Sequence, residues 1–388
     1  MPNYISSNAN RFYLAAENAY GSPAPIGPAN RFQAIRLQCH QSVPVSKRRD
    51  KTGARTHLGG ANTAKRFSHF DLSTCLTSWD LATAPPYGPL LQAAMGEVAG
   101  LVNGLVVAGV NGNQIRTQAP HNLNSGSAIA SGGEIRFVTS IGDLSTVSVN
   151  VPFSVGPAAG STLATTFGYR PAAQLPSVSI YDYWDPANAV SRLVTGASVD
   201  KFRITIKGDT HDMHFSGPAC DVLDSCSAAF GVSGIGTFPP EPALSSFDYS
   251  IVPGQLGQVW LGSPLAQVFT LTGAEVEIKN NLLVRDREFG SSYSRAAVPG
   301  IREVKTTFTL FAQDDAATRN LYAAAKTRMP ISAMLQLGQQ AGQIMAVYLP
   351  AVLPEMALFE DSQPSLLWEF TNNVAQGVSN DEAFVAFA

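Results

Sequence analysis

Apolar and polar residues alternate with a period of two along much of the later chain. A half-buried strand requires that pattern, because successive side chains point to opposite faces of a sheet. From Asp200 to Lys207, Phe202, Ile204 and Ile206 alternate with Lys201, Arg203, Thr205 and Lys207. The same period sets Val304, Thr306, Phe308 and Leu310 against Glu303, Lys305, Thr307 and Thr309. Both segments are predicted strands with one dry face. Asp314 is the predicted cap of a helix over 315–327, where Ala317, Leu321, Ala324 and Ala325 recur at helical spacing before Pro330 stops the element. That helix is expected to lie on a sheet.

The elements recur in one order near both ends of the chain. The early copy runs from the strand Arg36 to His40 through the loop Ser46 to Lys51. It continues with the strand Arg66 to Leu72 and a helical run ending at Gly96. The late copy runs from Ala274 to Asn281, through Arg285 to Gly290, to the strand Gly300 to Leu310 and the helix that follows it. The likeness is of order and spacing, not of residue identity. Two interaction modules in one chain point to a built object rather than a catalyst. Between them, roughly Leu105 to Pro171 carries short strands such as Glu134 to Thr139 and Thr146 to Val151, separated by glycine turns, which predicts a small inserted β-domain. The expected layout is an N-terminal arm (1–29), the first part of module one (30–104), the insert (105–175), the second part of module one with a linker (176–262), and module two (263–388). The insert is expected to be an exposed, dispensable appendage.

At 388 residues the chain is long enough for two or three domains with real cores. Only 14% of its residues are charged, with 33 Gly and 25 Pro, where globular chains average about 25% charged. Low charge with many turn formers fits a β-rich protein whose surface is largely used in contacts. The net charge of -3 argues against a dedicated nucleic-acid binder. Met1-Pro2-Asn3-Tyr4 does not open a signal peptide and no stretch reaches the length of a membrane helix, so synthesis and folding in a cytoplasm, without membrane insertion, are expected. Cys39, Cys75, Cys220 and Cys226 lack metal-site spacing and are expected to be reduced and mostly buried.

Candidate chemistry is sparse. Asp209 to His214 holds ligand types, but His211 and His214 point to opposite faces if the strand continues, so a polar hairpin is expected there rather than a metal site. Gly231 to Gly236 lacks the lysine of a phosphate loop and reads as a turn, and neither GxSxG nor HExxH occurs. No catalytic, cofactor-binding or metal-binding residue is assigned. Tyr181, Tyr183 and Trp184 could form a sugar platform, though core or interface is the plainer reading. Lys47, Arg48 and Arg49 suggest phosphate contact, yet Asp50 follows and the later loop reads Arg285-Asp286-Arg287-Glu288. Mixed charge fits a salt-bridged subunit contact better than DNA.

Phe12 to Ser22, with its Ala-Glu and Tyr-Gly-Ser steps, resembles the start of tail tube proteins from long-tailed bacteriophages. Pro89 to Gly96 resembles that family's helix after its second strand, and Val276 to Asn281 resembles its strand ending in paired asparagines. The resemblance implies a mainly β fold of two tail-tube-type β-sandwich or barrel modules, each with a flanking helix, in rings stacked around a DNA channel. Two modules in one chain imply a trimeric ring with pseudo-sixfold symmetry; one split module would imply a hexamer. It also implies a virion location after assembly in the host cytoplasm. The implied partners are other copies of the chain, a tape measure protein, tail tip or terminator proteins, and double-stranded DNA in transit. Lys47, Arg48, Arg49, Arg285 and Arg287 are expected to make ring-to-ring contacts. The alternative is a baseplate, terminator or decoration ring that does not polymerise.

Overall fold

The computed structural model describes residues 4–44, 51–55, 65–81, 83–186, 189–226, 237–244, 250–362 and 364–388. The chain is mainly β, with two α-helices among the described residues. Its spine is a sheet in which four hairpins lie side by side in chain order. The first joins Arg36–Ser42 to Phe67–Cys75, and the second joins Lys201–Ile206 to His211–Ala219. The third joins Leu271–Lys279 to Glu303–Phe311, and the fourth joins Leu358–Glu360 to Leu367–Ala375. Every seam between neighbouring hairpins is antiparallel.

The period-two pattern explains the packing. Phe70, Leu72, Phe202, Ile204, Met213, Phe215, Val276, Ile278, Val304, Phe308, Leu310 and Phe370 all face one continuous core, while the alternate residues face solvent. Behind the first half lies a second sheet of Asp221–Asp224, Arg192–Ala197, Val178–Trp184, Asn10–Ala16 and Arg31–Phe32. Behind the second half, Gly257–Gly262, Ile331–Leu337, Met345–Leu353, Phe384–Phe387, Thr166–Pro171 and Gly96–Val102 pair in succession. The helix Gly88–Met95 buries Leu90, Leu91, Ala93, Ala94 and Met95 in the core. The helix Ala316–Thr327 buries Leu321 and Ala325. Its cap is Asp315, one residue later than expected, whose carboxylate accepts from the Thr318 N–H at 2.7 Å.

Several boundaries move. The expected arm at 1–29 contains Asn10–Ala16, which sits inside the first outer sheet between Val178–Trp184 and Arg31–Phe32. Gly96–Val102 and Thr166–Pro171, expected in module one and in the insert, belong to the outer sheet of the second half. Gly257–Gly262 pairs with Ile331–Leu337 and also belongs to that half. The hydrophobic pattern of each segment marks it as a strand, but its partner lies far along the chain and is chosen by packing. Cys226 is exposed, contrary to the burial expected of the cysteines, while Cys220 is buried.

The insert is not a free appendage. Its sheet of Val107–Asn111, Gln114–Thr117, Thr146–Val149, Glu134–Asp143 and Ala128–Ser131 has its own small core around Ile115, Val138, Val147 and Phe153. Its other face is packed onto the second half: Ala130, Ile135 and Phe137 share a cluster with Trp260, Met334, Tyr348 and Phe384. Phe137 stacks on Tyr348 at 5.4 Å. The fully buried Arg136 lies 4.7 Å from the Trp260 ring centroid and 3.0 Å from Glu134.

The three sequence runs that resemble tube proteins take part in structural ties. The Glu17 carboxylate accepts from Gly21 N–H at 2.9 Å, Ser177 Oγ at 2.6 Å, Ser179 Oγ at 2.8 Å and Gly196 N–H at 2.8 Å. Gly21 has φ +74, and a Cβ there would lie 2.8 Å from Cys220 Sγ, so the turn requires glycine. The buried Asn280 amide donates to the carbonyls of Ala94 and Val199, each at 2.9 Å, and so ties the end of the first helix to the third hairpin.

Replacing residues 105–165 by a Gly/Ser linker is expected to lower the calorimetric unfolding midpoint by at least about 10 °C, because each large apolar side chain uncovered costs about 1.5–3 kcal/mol. An unchanged midpoint would show that the seam carries no stability. Glu17→Gln should cost about 1–3 kcal/mol, since an amide presents one acceptor and one donor group to four donors. Urea unfolding at constant m-value reads that loss directly.

Candidate functional site

The solvent face of the four-hairpin sheet is broad and polar, and its charges are largely paired within it. Lys201 Nζ lies 2.7 Å from Glu277 Oε2, Arg203 3.8 Å from Glu275, and Lys207 Nζ 3.1 Å from Asp212. His214 Nε2 is 2.9 Å from Asp71 Oδ2, and Lys305 lies 3.4 Å from Glu303. The Asn281 amide and then Lys305 hold the Glu303 carboxyl below the usual carboxylate range. These pairs follow from the register. Arg203 opposes Glu277 and Thr205 opposes Glu275 across the seam between the second and third hairpins, so opposite charges on the same face meet directly or diagonally. Exposed pairs of this kind add at most about 1 kcal/mol each.

The sheet has two open edges. Arg36–Ser42 pairs only with Phe67–Cys75, and Leu358–Glu360 pairs only with Leu367–Ala375, among the described residues. Unpaired strand edges are templates for another chain. Exposed apolar residues lie on or beside both: Ile35 at 66% exposure and Val43 on one, Leu358 at 60% and Phe359 on the other. The edge strand Leu358–Glu360 escapes sequence reading, because three residues are too few to show a period. The signal present was its Phe359, which stacks on Trp368 at 5.4 Å.

Of the residues expected at ring-to-ring contacts, Lys47, Arg48 and Arg49 lie outside the described residues, as does the turn Gly231 to Gly236. Arg285 and Arg287 sit on the long loop between the strands of the third hairpin. Arg285 pairs with Glu288, and Arg287 is exposed. The described parts of the first and third hairpin loops meet: Arg66 N–H donates to Ser292 O at 2.7 Å, and the Lys65 ammonium donates to the Asp286 carbonyl. The described ends of both loops therefore lie at one end of the sheet.

His211 and His214 do face opposite sides. His211 is buried and burial lowers its pKa to about 4, while His214 is on the polar face. Tyr181 and Tyr183 are core residues, stacked at 6.1 Å, with Tyr183 donating to the Pro239 carbonyl at 3.1 Å. Buried rings cannot serve as a sugar platform. Among the described residues no cluster of His, Cys, Asp and Glu is arranged to hold a metal ion.

No family model and no curated protein matches the chain. Among solved structures, the SPP1 tail tube, determined by solid-state NMR and cryo-electron microscopy, is similar at 11% identity and a TM-score of 0.27. That match covers 34% of this chain and 80% of the SPP1 chain.

Proposed function

We propose that this chain is a structural virion protein of a phage tail tube, in which three copies close a ring and rings stack around a channel for DNA. The observation that carries this reading is the seam between the second and third hairpins. There, two halves that both run strand, long loop, strand, helix join edge to edge in one continuous sheet. The open edges at Arg36–Ser42 and Leu358–Glu360 are the positions that would repeat that seam between chains. Closure removes both edges at once.

The size of such a ring suits a duplex. About 24 strands, spaced about 4.8 Å apart and tilted about 40°, enclose a barrel roughly 50 Å across at the backbone. The polar sheet face would line this channel, and its internally paired charges would let phosphates pass without holding them. The apolar face is already covered by helices and outer sheets, so only the polar face is free to meet solvent in the lumen. The ends of the stack would meet the tape measure and the tip or terminator proteins.

The internal seam also gives the register between chains. Counting from the loop-closing pairs Ser42 with Phe67 and Lys279 with Glu303, His40 corresponds to Glu277 and Gln38 to Glu275. Following the ladder across each half, Leu358 corresponds to Arg203 and Glu360 to Thr205. Leu358 should therefore oppose His40 of the next copy, and Glu360 should oppose Gln38. Oxidation of Gln38→Cys/Glu360→Cys, in a Cys39→Ser, Cys226→Ser background, is expected to give covalent trimers on non-reducing gels, with no product from either single cysteine. Monomers throughout, from material that forms rings by electron microscopy, would place the ring seam elsewhere.

A further inference from the structure

The first outer sheet carries a second apolar layer on the face turned away from the core. Phe12, Leu14, Ile180 and Val194 point into the continuous core, so the alternate residues Tyr13, Tyr181, Tyr183 and Leu193 gather on the far side. Two segments cover them. Ala24 and Ile26 close over Tyr181, whose hydroxyl donates to the Ala24 carbonyl at 2.6 Å. A strap, Thr237 to Leu244, closes over Tyr13 and Tyr183.

The strap is held as a ligand is held. Among the described residues it makes no backbone-to-backbone hydrogen bond, and Pro239, Pro240 and Pro242 have no N–H to give. Side chains of the sheet do the binding. Phe238 meets the Tyr183 ring edge-on at 5.8 Å, and the Tyr183 hydroxyl lies 3.1 Å from the Pro239 carbonyl and 3.4 Å from that of Pro240. The Glu241 carboxylate accepts from Arg11 Nε at 2.5 Å and Nη2 at 2.7 Å, a two-pronged pair, and from the Tyr13 hydroxyl at 3.0 Å. Burial works against the charged carboxyl, but Arg11, Tyr13 and the nearby Arg31 more than offset it and hold Glu241 below the usual carboxylate range. Phe238, Pro239 and Glu241 each precede a proline, which restricts each to extended backbone before any contact is made. Aromatic rings beneath, a donor to the proline carbonyls and a charge beside them are the chemistry by which proline-rich segments are recognised.

We propose that the Tyr13 and Tyr183 face is a binding site for proline-rich acidic segments, and that residues 237–242 are a built-in occupant that keeps it closed. The outside ligand that fits presents an aromatic residue, two prolines and a carboxylate in that order. Because it is tethered, the strap competes at a high effective concentration, so an outside segment enters only when the strap is weakened or displaced. The site lies behind the core, on the opposite side from the polar face of the four-hairpin sheet, so its occupancy does not depend on the tube reading.

The probe is a fluorescent peptide with the sequence of residues 237–244. Phe238→Ala/Glu241→Ala weakens the strap and leaves the sheet side of the site untouched. Fluorescence anisotropy is expected to show the peptide binding this chain at least about tenfold more tightly than the wild-type chain, whose site is occupied. Adding Arg11→Ala should weaken that binding at least about tenfold, and a peptide of scrambled order should not bind. If the double variant does not fold, Glu241→Gln, which keeps the shape of the side chain, should still bind the peptide at least about threefold more tightly than the wild type. No binding to a folded strap variant, equal affinity for variant and wild type, or no effect of Arg11→Ala overturns the site.

Discussion

The antiparallel seam between Lys201–Ile206 and Leu271–Lys279 is the contact on which the rest of the molecule depends. Backbone N–H and C=O groups on a strand edge must find partners, and here each half of the chain satisfies one edge of the other. The seam also fixes which side chains share a face. Lys201 and Arg203 come to lie beside Glu277 and Glu275, and Phe202 and Ile204 beside Ile278 and Val276. One register thus produces a dry face for the core and a charge-paired face for solvent. A slip by one residue would exchange them.

Two polar knots hold the halves in the alignment that the seam needs. Asn280 closes the third hairpin onto the carbonyls of Ala94 and Val199. Arg302 extends the tie, donating to Asn280 Oδ1 at 3.3 Å, to Glu382 at 2.7 Å and to the Ala172 carbonyl at 2.7 Å. On the far side, Glu17 gathers four donors and Tyr20 meets Ser294 at 2.7 Å, which links the first outer sheet to the third-hairpin loop. The insert acts on the same half from outside. Its Ile135 N–H donates to Gln336 Oε1 at 3.0 Å, and Arg136 lies against Trp260. The third-hairpin loop is therefore anchored at its base from several directions, while Phe289 on it stays exposed.

The sequence by itself determined the local elements and the faces they present. Alternation in Phe202 to Lys207 and in Glu303 to Leu310 specifies strands with one wet side, and the spacing of Leu321 and Ala325 specifies a helix on a sheet. Glycine and charge distribution specify a long loop between the strands of each early and late hairpin. These are short-range properties, set by the backbone period and by side-chain polarity. Tertiary structure decided the rest. Asn10–Ala16 became an inner strand, not an arm. Thr166–Pro171 left the insert for the second outer sheet, and the insert was packed down by its own apolar face. The open edges, the placing of Leu358–Glu360 and the covering of Tyr13 and Tyr183 by residues 237–244 also depend on which distant segments meet. Many apolar strands can pair with one another, and only the joint filling of one core selects the set that does.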